Sequence, residues 1–228
     1  FWQKNNFGAD GSGGTRTYFI NNNDLGLGRD MNCLQSGADV ACWVTNYGGP
    51  DQNPGNFNKA QIANKPTAGK TVAMEYSQVG GSGPRVVKFY VYNGGCSDVV
   101  VGCGGNSPLD ISANLDGAGE KYVPELCNTC HGGSFSGAAD MGASFREFDV
   151  HSYRDGTAGP KPTDPAFGLA NVLAQDGDFF TQNQMIVATN PAPAITELVG
   201  LFYPTAAPPF DPNALPCGWR ANTAGAPT

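Results

Sequence analysis

Apolar and polar positions change their rhythm about half-way along this chain. Ala41-Cys42-Trp43-Val44-Thr45-Asn46-Tyr47 reads as a short strand, stopped by Gly48-Gly49-Pro50. Residues 71–77 and 85–92 are β-rich runs on either side of Gly80-Gly81-Ser82-Gly83-Pro84, which predicts a β-hairpin. A further strand is expected near 99–101, closed by Gly104-Gly105. Apart from these, residues 1–60 alternate irregularly around Gly-rich and Asn-rich stretches and read as irregular chain. After about residue 115 the spacing lengthens. Pro124 sits where a first helical turn begins, and residues 125–131 complete one or two turns before Gly132-Gly133. Helices are predicted near 165–174, at 177–188 and at 192–203. In the second, Phe179, Phe180, Gln184 and Val187 fall at helical spacing, and Asn190-Pro191 ends it. In the third, Ile195, Leu198, Val199 and Phe202 make an i, i+3, i+4, i+7 stripe. The tail from Ala206, with Pro208-Pro209 and Pro212, reads as extended and surface-bound.

These elements predict an α+β chain in two parts. Residues 1–115 form a β-rich, loop-rich region stapled by disulfides, and residues 116–228 form a mainly helical region with an extended tail. Composition agrees with many loops. Charged residues are 14% of the chain, against a norm of about 25%, while Gly numbers 32 and Pro 17. A 40% hydrophobic content still supplies surface to bury, which excludes a disordered chain. The net charge of −7 argues against nucleic acid as a partner, since phosphates require a basic face. No apolar run approaches the roughly 20 residues that span a bilayer. The run Asn21-Asn22-Asn23-Asp24 lacks the regular acidic spacing of a calcium loop and reads as a turn.

The seven cysteines divide into a close pair, Cys127 and Cys130, and five others. Cys33 with Cys42, and Cys96 with Cys103, are near enough in sequence to close local loops, so two disulfides are expected in an oxidising compartment. Cys217 is the odd one: free, displacing one of these pairings, or bonded to another chain. A start at Phe1 is what export and removal of a leader would leave, so an extracellular or periplasmic location is expected.

Cys127-Asn128-Thr129-Cys130-His131 is a C-x-x-C-H motif, with a chance expectation of roughly 0.002 occurrences at this composition. Two thiols three residues apart on a helical turn reach the two vinyl groups of one porphyrin and form thioethers. The adjoining imidazole then lies beneath the ring, where Nε2 can bind iron. A zinc site would need two further ligands at finger-like spacing. A thioredoxin-like dithiol would follow a strand in an alternating β/α pattern, which is lacking here.

The segment from Leu115-Asp116-Gly117 through Pro124-Glu125-Leu126 to Cys127-Asn128-Thr129-Cys130-His131-Gly132-Gly133 resembles the haem-binding segment of c-type cytochromes. The resemblance covers about 20 residues. It implies one covalent haem c on Cys127 and Cys130, His131 as proximal iron ligand, export before attachment, and electron transfer as the role. It also implies that the helical half is cytochrome c-like, although the small cytochromes are about half this size and lack a large β-rich region.

The sixth iron ligand has few candidates. His151 leads, Met185 is the alternative, and Met141, Met31 and Met74 complete the set. Two imidazoles give a low potential, whereas a thioether raises it. Arg146, Arg154 and Lys121 are candidate partners for the haem propionates. Phe135, Phe145, Phe148, Tyr153, Phe179 and Phe180 are candidate walls. The reading is a secreted electron-transfer protein rather than an enzyme, with redox proteins as partners. Two alternatives stand beside it. One is a subunit of a self-assembling extracellular cytochrome filament, suited to a charge-poor, disulfide-stapled chain. The other is a five-coordinate haem enzyme or sensor.

Overall fold

The computed structural model describes residues 14–21, 27–47, 68–92, 109–115, 118–150, 153–154 and 173–210. Its frame is five long antiparallel strands: β1 (Thr15–Asn21), β2 (Gly28–Ser36), β3 (Asp39–Tyr47), β4 (Ala68–Gln78) and β5 (Arg85–Tyr92). The short β6 (Leu109–Asp110) extends one edge. A ribbon of β7 (Ser112–Ala113) and β8 (Lys121–Tyr122) comes next, and then helix α1 (Glu125–His131). Strand β9 (Tyr153–Arg154) extends the other edge, so the sheet runs β6-β5-β4-β3-β2-β1-β9. Helices α2 (Asp176–Ala188) and α3 (Pro193–Phe202) come last.

Side chains alternate across a strand, so register decides which of them reach the core. Cys33, Cys42, Met74 and Phe89 are directly opposed on β2 to β5 and form one row across the inner face. Val40 and Val87 lie in the neighbouring row, and all six belong to the main buried cluster. The predicted strand 41–47 and the hairpin 71–77 with 85–92 are both present, as β3 and as β4–β5.

Residues 1–60 are not irregular apart from one strand, because β1 and β2 lie within them. Their strand character depends on partners. Thr17, Phe19 and Cys33 are buried, while Arg16 forks onto Asp30 at 2.8 and 2.6 Å and Asn32 donates to the same carboxylate at 3.2 Å. Polar residues that favour loops in isolation are satisfied across the sheet.

Gly37 opens the two-residue turn between the paired Ser36 and Asp39 at φ +60°, a backbone that glycine adopts without steric cost. That turn sets Cys33 opposite Cys42, and the two are joined by the predicted disulfide. Cys96, Cys103, Cys217 and the expected strand near 99–101 lie outside the described residues. Loop-closure entropy for this separation of 9 residues is worth about 2.5 kcal/mol. A C33A/C42A double variant is therefore expected to unfold in urea with about 2.5 kcal/mol less stability. An unchanged midpoint would refute that role.

The expected mainly helical, cytochrome c-like half is overturned. Among the described residues beyond 115 there are three short helices, the second strand of the ribbon, the edge strand β9 and a long irregular stretch from Gly132 to Asp149. Gly132, Gly133, Gly137 and Gly142 all take positive φ, which ends the helix and prevents another. The two longer helices cover the sheet: α2 packs on β1, β2 and β3, and α3 packs on α2.

Helix α3 buries Ile195, Leu198, Val199 and Phe202, the stripe its spacing predicts. Helix α2 differs from its predicted face. It buries Phe179, but also Asp176, Gln182 and Asn183, while Gln184 is exposed. Each buried polar group has a partner. Thr17 Oγ1 donates to Gln182 Oε1 at 3.0 Å, and Asn183 bonds both the N–H and the C=O of Phe148 at 2.8 and 3.0 Å. Asp176 accepts from Tyr203 Oη and from the Phe210 N–H. The last contact seats Phe210 in the core, so the described part of the tail is only partly the surface strand expected of it. The predicted helix at 165–174 falls almost wholly outside the described residues.

Candidate functional site

Helix α1 is built from local chemistry. The N–H groups of Cys127 and Asn128 both donate to the Pro124 carbonyl, at 2.9 and 3.0 Å. Glu125 lies in the first turn and His131 in the last, each at the end that suits its charge. Gly132 closes the helix at φ +73°, its N–H bonding the Asn128 carbonyl at 2.9 Å.

Residues at i, i+3 and i+4 share one face of a helix, so Cys127, Cys130 and His131 project to the same side. Asn128 and Thr129 lie off that face. Thr129 Oγ1 bonds back to the Glu125 carbonyl at 3.4 Å, and Asn128 Nδ2 meets Met141 Sδ at 4.0 Å. Cys127 is buried in the main cluster and Cys130 is exposed; neither is in a disulfide.

His131 is partly buried, with its ring 5.5 Å from that of Phe89 on β5. Its Nδ1 lies 3.1 Å from the Ser144 carbonyl oxygen. A carbonyl only accepts, so Nδ1 carries the proton and Nε2 keeps its lone pair. Burial lowers the His131 pKa, and the charges of Arg146 and Arg29 act in the same direction, while the hydrogen bond to Ser144 opposes them. A group neutral in the folded state and protonated in the unfolded one favours unfolding at low pH. Stability should therefore fall as pH drops below about 6.5, towards the lowered folded value. In the full chain purified without haem, the wild-type urea midpoint should drop more from pH 7.5 to pH 5.5 than that of H131N. Parallel pH profiles would contradict this.

Burial first, and then Cys130, push the Cys127 thiol up to about 11. A disulfide-exchange nucleophile needs a stabilised thiolate, so Cys127 is poorly suited to that role. The arrangement offers two free thiols and one free imidazole nitrogen on a single helical face. Among the described residues no group of three or more His, Cys, Asp and Glu is gathered to hold a metal ion through side chains alone. None of the described helices is long and apolar enough to cross a membrane.

The other predicted site residues have varied settings. Arg146 is exposed and pairs with Glu147 at 3.5 Å. Arg154 is on β9 with its side chain outside the described residues, as is the whole of His151. Met185 is buried in α2, within the cluster that includes Cys127. Phe145, Phe148, Tyr153 and Phe179 are core residues that pack on one another and on the sheet, as in the 4.0 Å stack of Phe19 on Tyr153. Phe180 pairs with Tyr203 at 4.9 Å, and Phe135 is exposed. Sequence reasoning missed Phe89 and the Ser144 carbonyl, the two groups that hold the His131 ring. Phe89 reads as an ordinary strand residue, and a backbone carbonyl has no side-chain signature. No family model, curated protein or solved structure matches the chain, so the site is read from its own residues.

Proposed function

We propose that the chain carries one haem c on α1, with thioethers to Cys127 and Cys130 and His131 as the proximal iron ligand, and that it transfers electrons. The observation that carries this reading is the combined geometry of α1. Both thiols and the imidazole share one helical face, and His131 Nδ1 is committed to Ser144, which leaves Nε2 as the metal-binding nitrogen. Attachment needs reduced thiols: each S–H adds across a vinyl C=C, forming S–C and C–H bonds with no oxidant.

Bound haem would supply one-electron cycling between ferrous and ferric iron. The chain's residues would anchor it and fix its ligand. Cys127 ties one attachment point to the rim of the core, and Cys130 holds the other at the surface. Ile111, Tyr122 and Phe135, all more than half exposed, lie on the segments leading into and out of α1 and offer apolar surface to a ring. His151 is proposed as the sixth ligand and Arg146 and Arg154 as propionate partners, with redox proteins as partners of the whole. The Cys33–Cys42 disulfide is compatible with an oxidising compartment, and an extracellular or periplasmic location is proposed on that ground.

The test is the optical spectrum of protein matured in a haem-attaching host, oxidised, reduced and as the pyridine haemochrome. A c-type haemochrome that survives denaturation, with six-coordinate reduced bands and no red-end iron–thioether band, is expected. A denatured chain free of haem would sink the proposal. A high-spin ferrous spectrum that shifts on adding carbon monoxide would overturn the sixth-ligand assignment.

A further inference from the structure

Beyond α1 the chain leaves the site and returns to it. Ser144 N–H donates to the His131 carbonyl at 2.9 Å, and Ser134 N–H donates to the Met141 carbonyl at 2.9 Å. These two bonds link opposite legs, and Gly133 approaches the backbone of 141–143, so the legs 131–134 and 141–144 run side by side with an exposed tip between them. The second leg ends where the Ser144 carbonyl meets His131 Nδ1. The distance between the legs therefore decides whether that contact forms.

The legs touch at Gly133. A Cβ there would lie 2.2 Å from the Met141 carbonyl oxygen and 2.8 Å from the Ala143 nitrogen. Both are backbone atoms, which cannot turn aside as a flexible side chain would. Gly133 also has φ +80°. On the opposite leg Gly142 has φ +69°, but a Cβ added there has no neighbour nearer than the Gly133 Cα at 4.0 Å. The two glycines thus share a left-handed backbone and differ in the space around them.

We infer that Gly133 is a positioning residue for the iron ligand: its missing side chain lets the legs close, and the closed loop brings the Ser144 carbonyl to His131 Nδ1. The iron-ligand role rests on the haem reading above, whereas the placement of the imidazole does not. Held this way, the ring presents Nε2 in one orientation and gains donor strength from the Nδ1–H···O=C bond.

The test compares G133A with G142A in the full chain. In protein without haem and labelled with 15N-histidine, long-range proton–nitrogen spectra report which ring nitrogen of His131 carries the proton. Wild type and G142A should show the Nδ1–H form, and G133A should lose that preference. In haem-loaded protein, G133A should shift the midpoint potential upward, because a weaker donor stabilises ferric iron less, and G142A should not. G133A with the wild-type tautomer, or both variants shifting alike, would overturn the inference. Amide exchange in the wild type is a reading that survives a G133A chain too unstable to study. Protection of the Ser134 and Ser144 N–H groups above those of the tip supports the inference, and an unprotected Ser144 N–H defeats it. A chain that takes up no haem removes the haem reading and leaves the tautomer comparison standing, so the two failures are distinct.

Discussion

A C127S/C130S double variant of the full chain, matured in the same haem-attaching host as the wild type, should carry no covalent haem and keep its sheet. Serine hydroxyls do not add across vinyl groups under conditions where thiols do, so both anchors vanish together. The cost to the fold is modest and comes mainly from one position. Cys127 is 7% exposed, and a hydroxyl in its place is a buried polar group, at about 1–3 kcal/mol. Cys130 is exposed and its replacement costs little. Denaturing electrophoresis with haem staining gives the primary reading, and far-ultraviolet circular dichroism gives the control. Single variants separate the anchors: each should retain one thioether, visible as a shifted haemochrome band. Haem that stays bound to the denatured double variant would mean that attachment lies elsewhere in the chain.

Replacing Phe179 by alanine is expected to cost about 4 kcal/mol, since it is the largest fully buried side chain among the described residues. The ring is fully buried where α2 meets the sheet. It packs edge-on to Phe19 at 5.6 Å and lies 5.5 and 6.3 Å from Tyr153 and Phe148. Its removal leaves a cavity among three aromatic side chains fixed by β1, β9 and the segment before β9. Collapse is hard, because Phe148 is held by Asn183 and Tyr153 stacks on Phe19. Against a typical stability of about 5–15 kcal/mol, such a loss is a large fraction of the whole. F180A is the comparison. Phe180 is only partly buried and pairs with Tyr203, so its loss should be less than half as large. Urea unfolding of both variants gives the answer, and an F179A midpoint close to that of F180A would show that this ring does not hold the helix to the sheet.

Both expectations depend on contacts between residues far apart in the chain, and this marks how far the sequence could be read. Helix α3 was legible because four apolar residues at helical spacing all face the same layer, and burial of that stripe suffices to define it. Strands β3, β4 and β5 were legible because β-rich runs stand between clusters of Gly and Pro. The disulfide was legible because its cysteines flank one tight turn. Helix α1 was legible for a different reason: Pro124 stands where its first turn begins and Gly132-Gly133 stop it.

The remaining features needed the tertiary structure. Strands β1 and β2 exist because Arg16, Asp30 and Asn32 find one another across the sheet, and local propensity says nothing of that pairing. The inward face of α2 includes Gln182 and Asn183, since distant backbone and side-chain groups at Thr17 and Phe148 satisfy them. Of the aromatics expected to wall a haem, Phe145, Phe148, Tyr153 and Phe179 are buried in the core, whereas Phe135 is exposed. The orientation of His131 depends on a carbonyl thirteen residues away and on a ring from β5. By itself the sequence determined which atoms the site offers, because that chemistry is local. The fold alone decided where those atoms point and how the second half of the chain is built, because hydrogen bonds and packing are settled between partners that only the folded chain brings together.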